Sequence, residues 1–284
     1  MLYANHDITI TGYENFTNKR LLELWAETIG KPYRPRYLLS ESVKIIKGEK
    51  FGYLTGVLYM TNALKIAGVN TCSHAILADC INWCLVKSGQ MAGAVAIEAR
   101  FDRLQLLTKN PALFFEILKR EIRKLLARAE RKNLKTAIRL NGTTDLDWTR
   151  IQFSGKSIFE HFKKSPVRFY DYTKNPNLAE NYQKSGISVT FSFYKKAQTE
   201  KLKELLKNGV NIAIAYRRGL PKNQIIGAES FSVIDGDLHD LRFRDRRGVV
   251  VGLRYKNASM DRGAREVNQT ALESGFIILK GAVI

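Results

Sequence analysis

The amino-acid sequence predicts an α/β protein whose main domain is a partial or full (β/α) barrel of the TIM type. Stretches with strand and helix character alternate along the chain, and polar residues follow one predicted strand after another. Long crossovers of this kind require parallel strands. All three cysteines also follow the first predicted strand, where a barrel builds its sites.

The first barrel strand is predicted at residues 51–60, where the run FGYLTGVLYM is rich in aromatic and β-branched side chains. Residues 1–50 have a mixed pattern and are interpreted as an N-terminal extension to a barrel domain at 51–284. A long helix is predicted to begin at Asn110-Pro111, a cap followed by proline at the first helical position. One face of this helix is apolar: Phe114, Leu118, Ile122, Leu125 and Ala129.

The remaining elements continue the alternation. Strands are predicted at residues 136–142, 167–173, 187–193, 211–217, 231–235, 248–255 and 275–281, and helices at 157–165, 177–185 and 197–209. The apolar runs are typical of strands covered on both faces. Because no G-x-G-x-x-G turn opens any of these helices, a barrel is favoured over an open doubly wound sheet.

The charge balance predicts a polyanionic partner. Forty-six Lys and Arg residues face 27 Asp and Glu, a formal net charge of +19, and nucleic acid is the commonest polyanion that such an excess attracts. The C-terminal part is especially basic and interleaved with aromatic rings, which favours phosphate contact with base stacking on single strands over a merely solvated face. The residues assigned to this contact are Arg242, Arg244, Arg247, Arg254, Tyr255 and Lys256.

The sequence contains no apolar run of about 18 residues, the length that a membrane-spanning helix needs. The first residues also lack the basic and apolar regions of a secretory leader. The expected location is therefore the cytoplasm, that of the host cell if a phage encodes the protein, without membrane contact.

The cysteines Cys72, Cys80 and Cys84 lie within 13 residues and are interpreted as one metal site. An odd number of cysteines in a reducing compartment does not fit a disulfide framework. Three alternatives remain: a [4Fe–4S] cluster on three thiolates, a structural zinc ion with His74 as fourth ligand, or three buried cysteines without a metal. The position after the first strand favours the iron–sulfur cluster.

Four motifs carry a family resemblance. The cysteine loop C-x7-C-x3-C is followed by RLNGTTD (139–145), FYDYTK (169–174) and VIDGDLHDLR (233–242). In this order they resemble an uncharacterised family of bacteriophage and plasmid proteins, over residues of about 70 to 279. That family is similar to radical S-adenosylmethionine enzymes, which are partial barrels with three cysteines after the first strand.

The resemblance implies a [4Fe–4S] cluster on the three cysteines, with S-adenosylmethionine as a second cofactor. The usual spacing, C-x3-C-x2-C, and the Gly-Gly-Glu segment that holds the methionine amine are both absent here. Residues at strand ends are therefore expected to bind the cofactor instead: Asn141, Thr143, Asp145 and Ser192.

Catalytic roles are assigned to Asp145, Asp171 and Lys174. Asp171 is a candidate proton acceptor, and Lys174 a candidate ligand for a carboxylate or phosphate; the alternative for these two is an ion pair at the barrel mouth. The carboxylates of Asp235 and Asp237 with His239 fit either a divalent-metal site or a simple turn.

Three functions follow, in order of preference. The first is an iron–sulfur enzyme of a phage or plasmid that acts on nucleic acid or a nucleotide. The second is a nucleic-acid-binding or replication protein with a structural metal cluster. The third is a metal-dependent nuclease that uses Asp235, Asp237 and His239.

Overall fold

The computed structural model describes residues 7–9, 12–40, 47–62, 68–84, 89–217, 219–255 and 264–284. The helices are α1 (Asn18–Ile29), α2 (Cys80–Trp83), α3 (Ala94–Lys109), α4 (Pro111–Arg131), α5 (Ile158–His161), α6 (Pro176–Lys184), α7 (Thr199–Lys207) and α8 (Ala264–Glu273). Short 3-10 helices lie at Lys47–Phe51, Gly89–Ala92 and Arg242–Arg244. Over these described ranges, no helix combines the length and apolarity needed to cross a membrane.

The strands are short and belong to a mixed α/β arrangement. They are β1 (Asp7–Ile8), β2 (Leu39–Ser40), β3 (Tyr53–Leu58), β4 (Lys135–Arg139), β5 (Gln152–Phe153), β6 (Lys156–Ser157), β7 (Val167–Thr173), β8 (Ser188–Ser192), β9 (Asn211–Tyr216), β10 (Asn223–Ile226), β11 (Glu229–Asp235) and β12 (Val250–Arg254). The chain forms two compact units: the first comprises residues 1–72 and 89–170, and the second 73–88 and 171–284.

The first unit has a sheet in the order β7-β4-β3-β2. β3, β4 and β7 are parallel, whereas β2 is antiparallel to β3 with Leu39 opposite Leu58. A small second sheet, β1-β5-β6, contains a hairpin that turns at Ser154 and Gly155. Both residues have positive φ, 48° and 72°, as a two-residue type I′ turn requires.

The helices α1, α3 and α4 supply most of the first unit's core. Trp25, Phe114 and Phe115 are almost completely buried, and each side chain of this size stabilises the fold by roughly 1.5–3 kcal/mol. The predicted apolar face of α4 is confirmed, because all five of its residues are buried. Its predicted start is also confirmed: the side chain of Asn110 accepts the amide N–H of Leu113 at 3.1 Å.

The strands of the second unit follow the order β8-β9-β12-β11-β10. β8, β9, β12 and β11 are parallel, and β10 pairs antiparallel with β11. Phe191, Ile212 and Val250 lie at the centre of its core. Leu202, Leu205 and Leu206 share the apolar face of α7 and pack into the same core.

The α/β class is confirmed, but the sheet does not close. In a barrel each strand has two neighbours. In the described part of the first unit β2 has one neighbour, and in that of the second unit β10 has one. Both are short antiparallel strands that end the run of parallel strands, so the expected full barrel is not formed.

Several predicted elements are shorter in the structure than expected. The strand expected at 136–142 ends at Arg139, and the helix expected at 157–165 has a single turn, α5. The strand expected at 275–281 is reduced to one bridge, between Ile278 and Tyr216. β9 already has β8 and β12 as neighbours, so this segment adds only a short contact at its end.

Candidate functional site

Asn141 organises the loop at the carboxyl end of β4. Its side chain is buried, and its Oδ1 accepts hydrogen bonds from Thr144 Oγ1 at 2.8 Å, Leu146 N at 3.0 Å and Trp148 Nε1 at 3.2 Å. Its Nδ2 donates to the Leu146 carbonyl at 2.9 Å. Beyond Arg139, where β4 ends, these side-chain hydrogen bonds take the place of the hydrogen bonds between strands. They occupy the side-chain amide of Asn141, which was expected to bind a cofactor.

The next residues of the loop lie against the end of β3. A Cβ atom on Gly142 would lie 2.8 Å from the Leu58 carbonyl oxygen and 2.6 Å from a ring carbon of Tyr59, so only glycine fits. Thr143 Oγ1 donates to the Met60 carbonyl at 2.6 Å. The carboxyl ends of the parallel strands β3 and β4 are thereby held together, the edge at which α/β proteins bind ligands.

Cys72 joins this edge. It forms a parallel bridge with Asp145, whose amide N–H donates to the Thr71 carbonyl at 2.7 Å. The Sγ atom of Cys72 lies 3.9 Å from the Thr143 carbonyl oxygen. The structure therefore brings together four of the residues predicted from sequence: Asn141, Thr143, Asp145 and Cys72.

The other two cysteines belong to the second unit. Cys80 begins α2 and packs partly against the core, and Cys84 follows the helix with an extended backbone. None of the three cysteines forms a disulfide. Burial lowers the pKa of the nearby His74, which favours the neutral, metal-binding form of its ring.

Within the described ranges, no group of three or more His, Cys, Asp or Glu side chains could hold a metal ion. Cys72 lies in the first unit and Cys80 and Cys84 in the second. The expected site on Cys72, Cys80 and Cys84 is not found among such groups of described residues, and it stays a prediction.

Lys174 directly follows β7, and its side chain contacts the end of β8 in the second unit. Its Nζ donates to Ser192 Oγ at 3.2 Å and to the Phe193 carbonyl at 2.9 Å, and it lies 5.8 Å from the centre of the Tyr194 ring. The predicted residues Lys174 and Ser192 are thus in contact. Asp171 of β7 is buried, and its carboxylate accepts a hydrogen bond from the amide N–H of Tyr172 at 3.0 Å.

Asp235 and Asp237 share one arginine. Arg254 bonds the carboxylate of Asp235 through both terminal nitrogens, at 2.9 and 2.8 Å, and reaches Asp237 at 3.3 Å. The cation lowers the pKa of Asp235. Of the two alternatives for this segment, the arrangement corresponds to a simple turn and not to a divalent-metal site. His239 lies beside Arg242, with its Nδ1 atom 3.2 Å from Nη2 of the arginine.

The basic C-terminal part divides into paired and exposed residues. The Arg242 side chain is 1% exposed and forms an ion pair with Asp245 at 3.1 Å. Burial raises the pKa of Asp245 to about 6, while Arg242 opposes this shift. Arg244 and Arg247 are exposed, Tyr255 is half-buried, and Lys256 lies outside the described residues.

Sequence reasoning did not identify two basic features of the first unit. One is a groove beside α4 that contains Tyr37, Lys124 and Arg131. The other is a set of exposed cations where β3, β4 and β7 begin. The spread of basic residues over α4 was visible in the sequence, but which of them pair with acids was not.

Comparison with known proteins gives one result. A family model described as gene product 88 matches residues 37–277, most of the chain. No curated protein and no solved structure matches. This match supports the predicted resemblance to an uncharacterised phage-type family. It gives no support to the predicted similarity to radical S-adenosylmethionine enzymes. The chain belongs to the gene product 88 family.

Proposed function

We propose that this protein binds single-stranded nucleic acid through the phosphate backbone. The observation that carries the proposal is a cluster of exposed cations in the first unit, which we call the amino-edge cations. They lie shortly before or at the start of the parallel strands β3, β4 and β7: Lys47, Lys50, Arg131, Lys135, Lys163 and Lys164.

The amino-edge cations have no acidic partners among the described residues. Of the cations around them, Lys132 pairs with Glu49 at 3.2 Å, but none of the six forms an ion pair with a residue that the structure describes. Parallel strands begin at one edge of a sheet, so these charges lie on one side of the unit. An exposed, uncompensated cation gains most from a phosphate, because each contact releases a counterion from the nucleic acid.

The test is the salt dependence of binding to a labelled single-stranded oligothymidylate. Each phosphate contact lowers the logarithm of affinity by about 0.7 per tenfold rise in salt, so four or more contacts give a slope of about −3 or steeper. Binding that does not change with salt would contradict the proposal, because the net charge of +19 would then be only a solvated surface.

A second candidate function is an iron–sulfur protein that acts on nucleic acid or a nucleotide, with a partial barrel of the radical S-adenosylmethionine type. The observation that favours it is the contact of Cys72 with Thr143 and Asp145 at the carboxyl ends of β3 and β4. One observation weighs against it: the side-chain amide of Asn141 already forms hydrogen bonds within its own loop. We therefore assign no chemical step to a cluster, and the catalytic roles of Asp145, Asp171 and Lys174 stay predictions.

Metal analysis of anaerobically purified protein tests this candidate. A [4Fe–4S] cluster gives about four irons per chain. Replacing any one of Cys72, Cys80 and Cys84 by Ala should then remove the iron, whereas His74→Ala should not. Stoichiometric zinc that is lost in His74→Ala would indicate a Cys3His site instead. Protein without either metal would refute the candidate and leave the nucleic-acid proposal untouched.

A further inference from the structure

A groove of about 380 Å³ runs beside α4 in the first unit. One wall contains Tyr37 and Leu39, with Gly56 of β3 next to them, and the other wall contains Lys124, Arg128 and Arg131 of α4. Its volume is in the range of sites that bind small molecules, about 300–1,000 Å³. We call it the α4 groove.

Gly56, which has no side chain, lies in the lining of the α4 groove where β3 approaches α4. A Cβ atom there would lie 2.9 Å from Leu125 Cδ2 and 3.2 Å from Leu39 Cδ1. A methyl group at this position would push these two walls apart or fill the space between them. The absence of a side chain at Gly56 therefore leaves room for the leucine side chains of both walls.

The wall formed by residues 37–40 is fixed from both neighbouring helices. The carboxylate of Glu121 on α4 accepts the amide N–H groups of Leu38 at 2.9 Å and Leu39 at 2.7 Å. Arg103 on α3 donates to the Tyr37 carbonyl at 2.8 Å and to Ser40 Oγ at 2.8 Å. A groove whose walls are held in this way loses little conformational freedom when it binds a ligand.

The charge of the groove favours an anion. Lys124, Arg128 and Arg131 follow each other at intervals of four and three residues, so they share one face of α4. Lys124 and Arg131 are exposed and form no ion pair with a described residue. Glu121 is the acidic residue of the lining; both its oxygens accept backbone N–H groups, and burial raises its pKa to about 7.

Tyr37 supplies an aromatic surface next to these cations. Tyr37 is 64% exposed, although Arg103 fixes its backbone by donating a hydrogen bond to its carbonyl oxygen. An exposed ring on a fixed backbone, beside a row of cations, is the combination with which proteins bind single strands: bases stack on the ring and phosphates meet the cations.

We propose that the α4 groove binds one nucleotide of a single strand, with its base on Tyr37 and the adjoining phosphates at Lys124, Arg128 and Arg131. This inference rests on the proposed nucleic-acid function and locates one of its contact sites. Arg131 belongs both to the groove and to the amino-edge cations, so a strand in the groove continues toward that edge.

Binding of labelled oligothymidylate at several salt concentrations tests the groove. The double variant Lys124→Ala/Arg131→Ala should reduce the slope of log affinity against log salt by about 1.4, which corresponds to two phosphate contacts. Tyr37→Ala should weaken binding by roughly 5- to 150-fold without changing the slope, because stacking releases no counterions. Tyr37→Phe keeps the ring and should bind as the wild type does.

The matched control is Arg123→Ala/Lys109→Ala, which removes the same charge from two exposed positions of this unit outside the groove. If the control reduces the slope as much as the groove variant, or if Tyr37→Ala binds normally, the groove is refuted while the proposed function stands. If the wild type shows no salt-dependent binding, the proposed function fails and the groove with it.

Discussion

Two arginine- and lysine-rich regions of this protein look alike in sequence and differ in structure. In the second unit, Arg242 and Arg254 are paired with Asp245, Asp235 and Asp237. In the first unit, Lys124 and Arg131 of α4 are exposed and form no ion pair with a described residue. The two arginines of the second unit are neutralised by carboxylates of the same unit, whereas the two cations of α4 are not neutralised by a described residue.

Under the proposed function, we expect pairing, and not the number of basic residues, to determine which cations can bind phosphates. Arg120 on α4 illustrates the same point: it bonds Glu116 and the backbone carbonyls of Tyr13, Glu14 and Phe16. A cation that already has such partners would have to give them up before it could bind an external anion, which costs free energy.

The largest expected effect concerns the paired region. Arg242→Ala should lower the free energy of unfolding by about 3–5 kcal/mol, because it leaves the carboxylate of Asp245 buried without its cation. Arg247→Ala, at an exposed position of the same segment, should change it by less than about 0.5 kcal/mol. Urea denaturation measures both.

A double variant sharpens this first prediction. Arg242→Ala/Asp245→Asn should recover part of the lost stability, since no uncompensated charge remains. Equal stability of Arg242→Ala and Arg247→Ala would show that the buried pair is not formed in solution, and the distinction between the two regions would lose its basis.

A second prediction concerns pH and Glu121. Its folded-state pKa is raised by burial from 4.5 to about 7, against the opposing effects of the Leu38 and Leu39 amides, Arg103 and Lys124. Its contribution to the free energy of unfolding is therefore full below about pH 4.5 and is lost as the pH rises through about 7. The loss amounts to about 3 kcal/mol.

Glu121→Gln should remove this contribution. The difference in unfolding free energy between wild type and Glu121→Gln should change by up to about 3 kcal/mol between about pH 5 and pH 8, with the wild type relatively less stable at the higher pH. Glu130→Gln, an exposed change on the same helix, is the control. A difference that stays constant with pH would mean that Glu121 is ionised throughout.

The sequence contained enough to predict the local elements that rest on strong signals. Asn110-Pro111 and the apolar repeat predicted α4, and β7 has the predicted bounds, residues 167–173. α1 was missed because its amphipathic pattern lies in a mixed segment, although Trp25 and Leu21 are buried. The short edge strands β2 and β10 have too few residues to show a period of two.

The site was predicted less completely, for a physical reason. Strand ends could be located from the sequence, so the cluster of Asn141, Thr143, Asp145 and Cys72 could be anticipated. Which polar groups are consumed by internal hydrogen bonds depends on distances between distant residues. The loop bonds of Asn141 and the ion pair of Arg254 with Asp235 are of this kind.

A small effect on stability is also expected at Arg254. Its side chain is 48% exposed, and a pair at this level of exposure contributes about 0–1 kcal/mol, so Arg254→Ala should be nearly as stable as the wild type. It should also leave the salt slope of nucleic-acid binding unchanged. A decrease in slope of about 0.7, the value of one phosphate contact, would show that pairing with Asp235 does not prevent this arginine from binding phosphate.

The most direct test of the account compares two triple variants that remove equal charge. Lys135→Ala/Lys163→Ala/Lys164→Ala removes three amino-edge cations, and Arg20→Ala/Lys201→Ala/Lys203→Ala removes three cations that are paired with Glu27, Glu180 and Glu200. The measurement is the slope of log affinity for oligothymidylate against log salt. The first variant should reduce the slope by about 2, three contacts at about 0.7 each, and the second should leave it near the wild-type value. Equal reductions in both variants would contradict the account, because net charge alone would then determine binding.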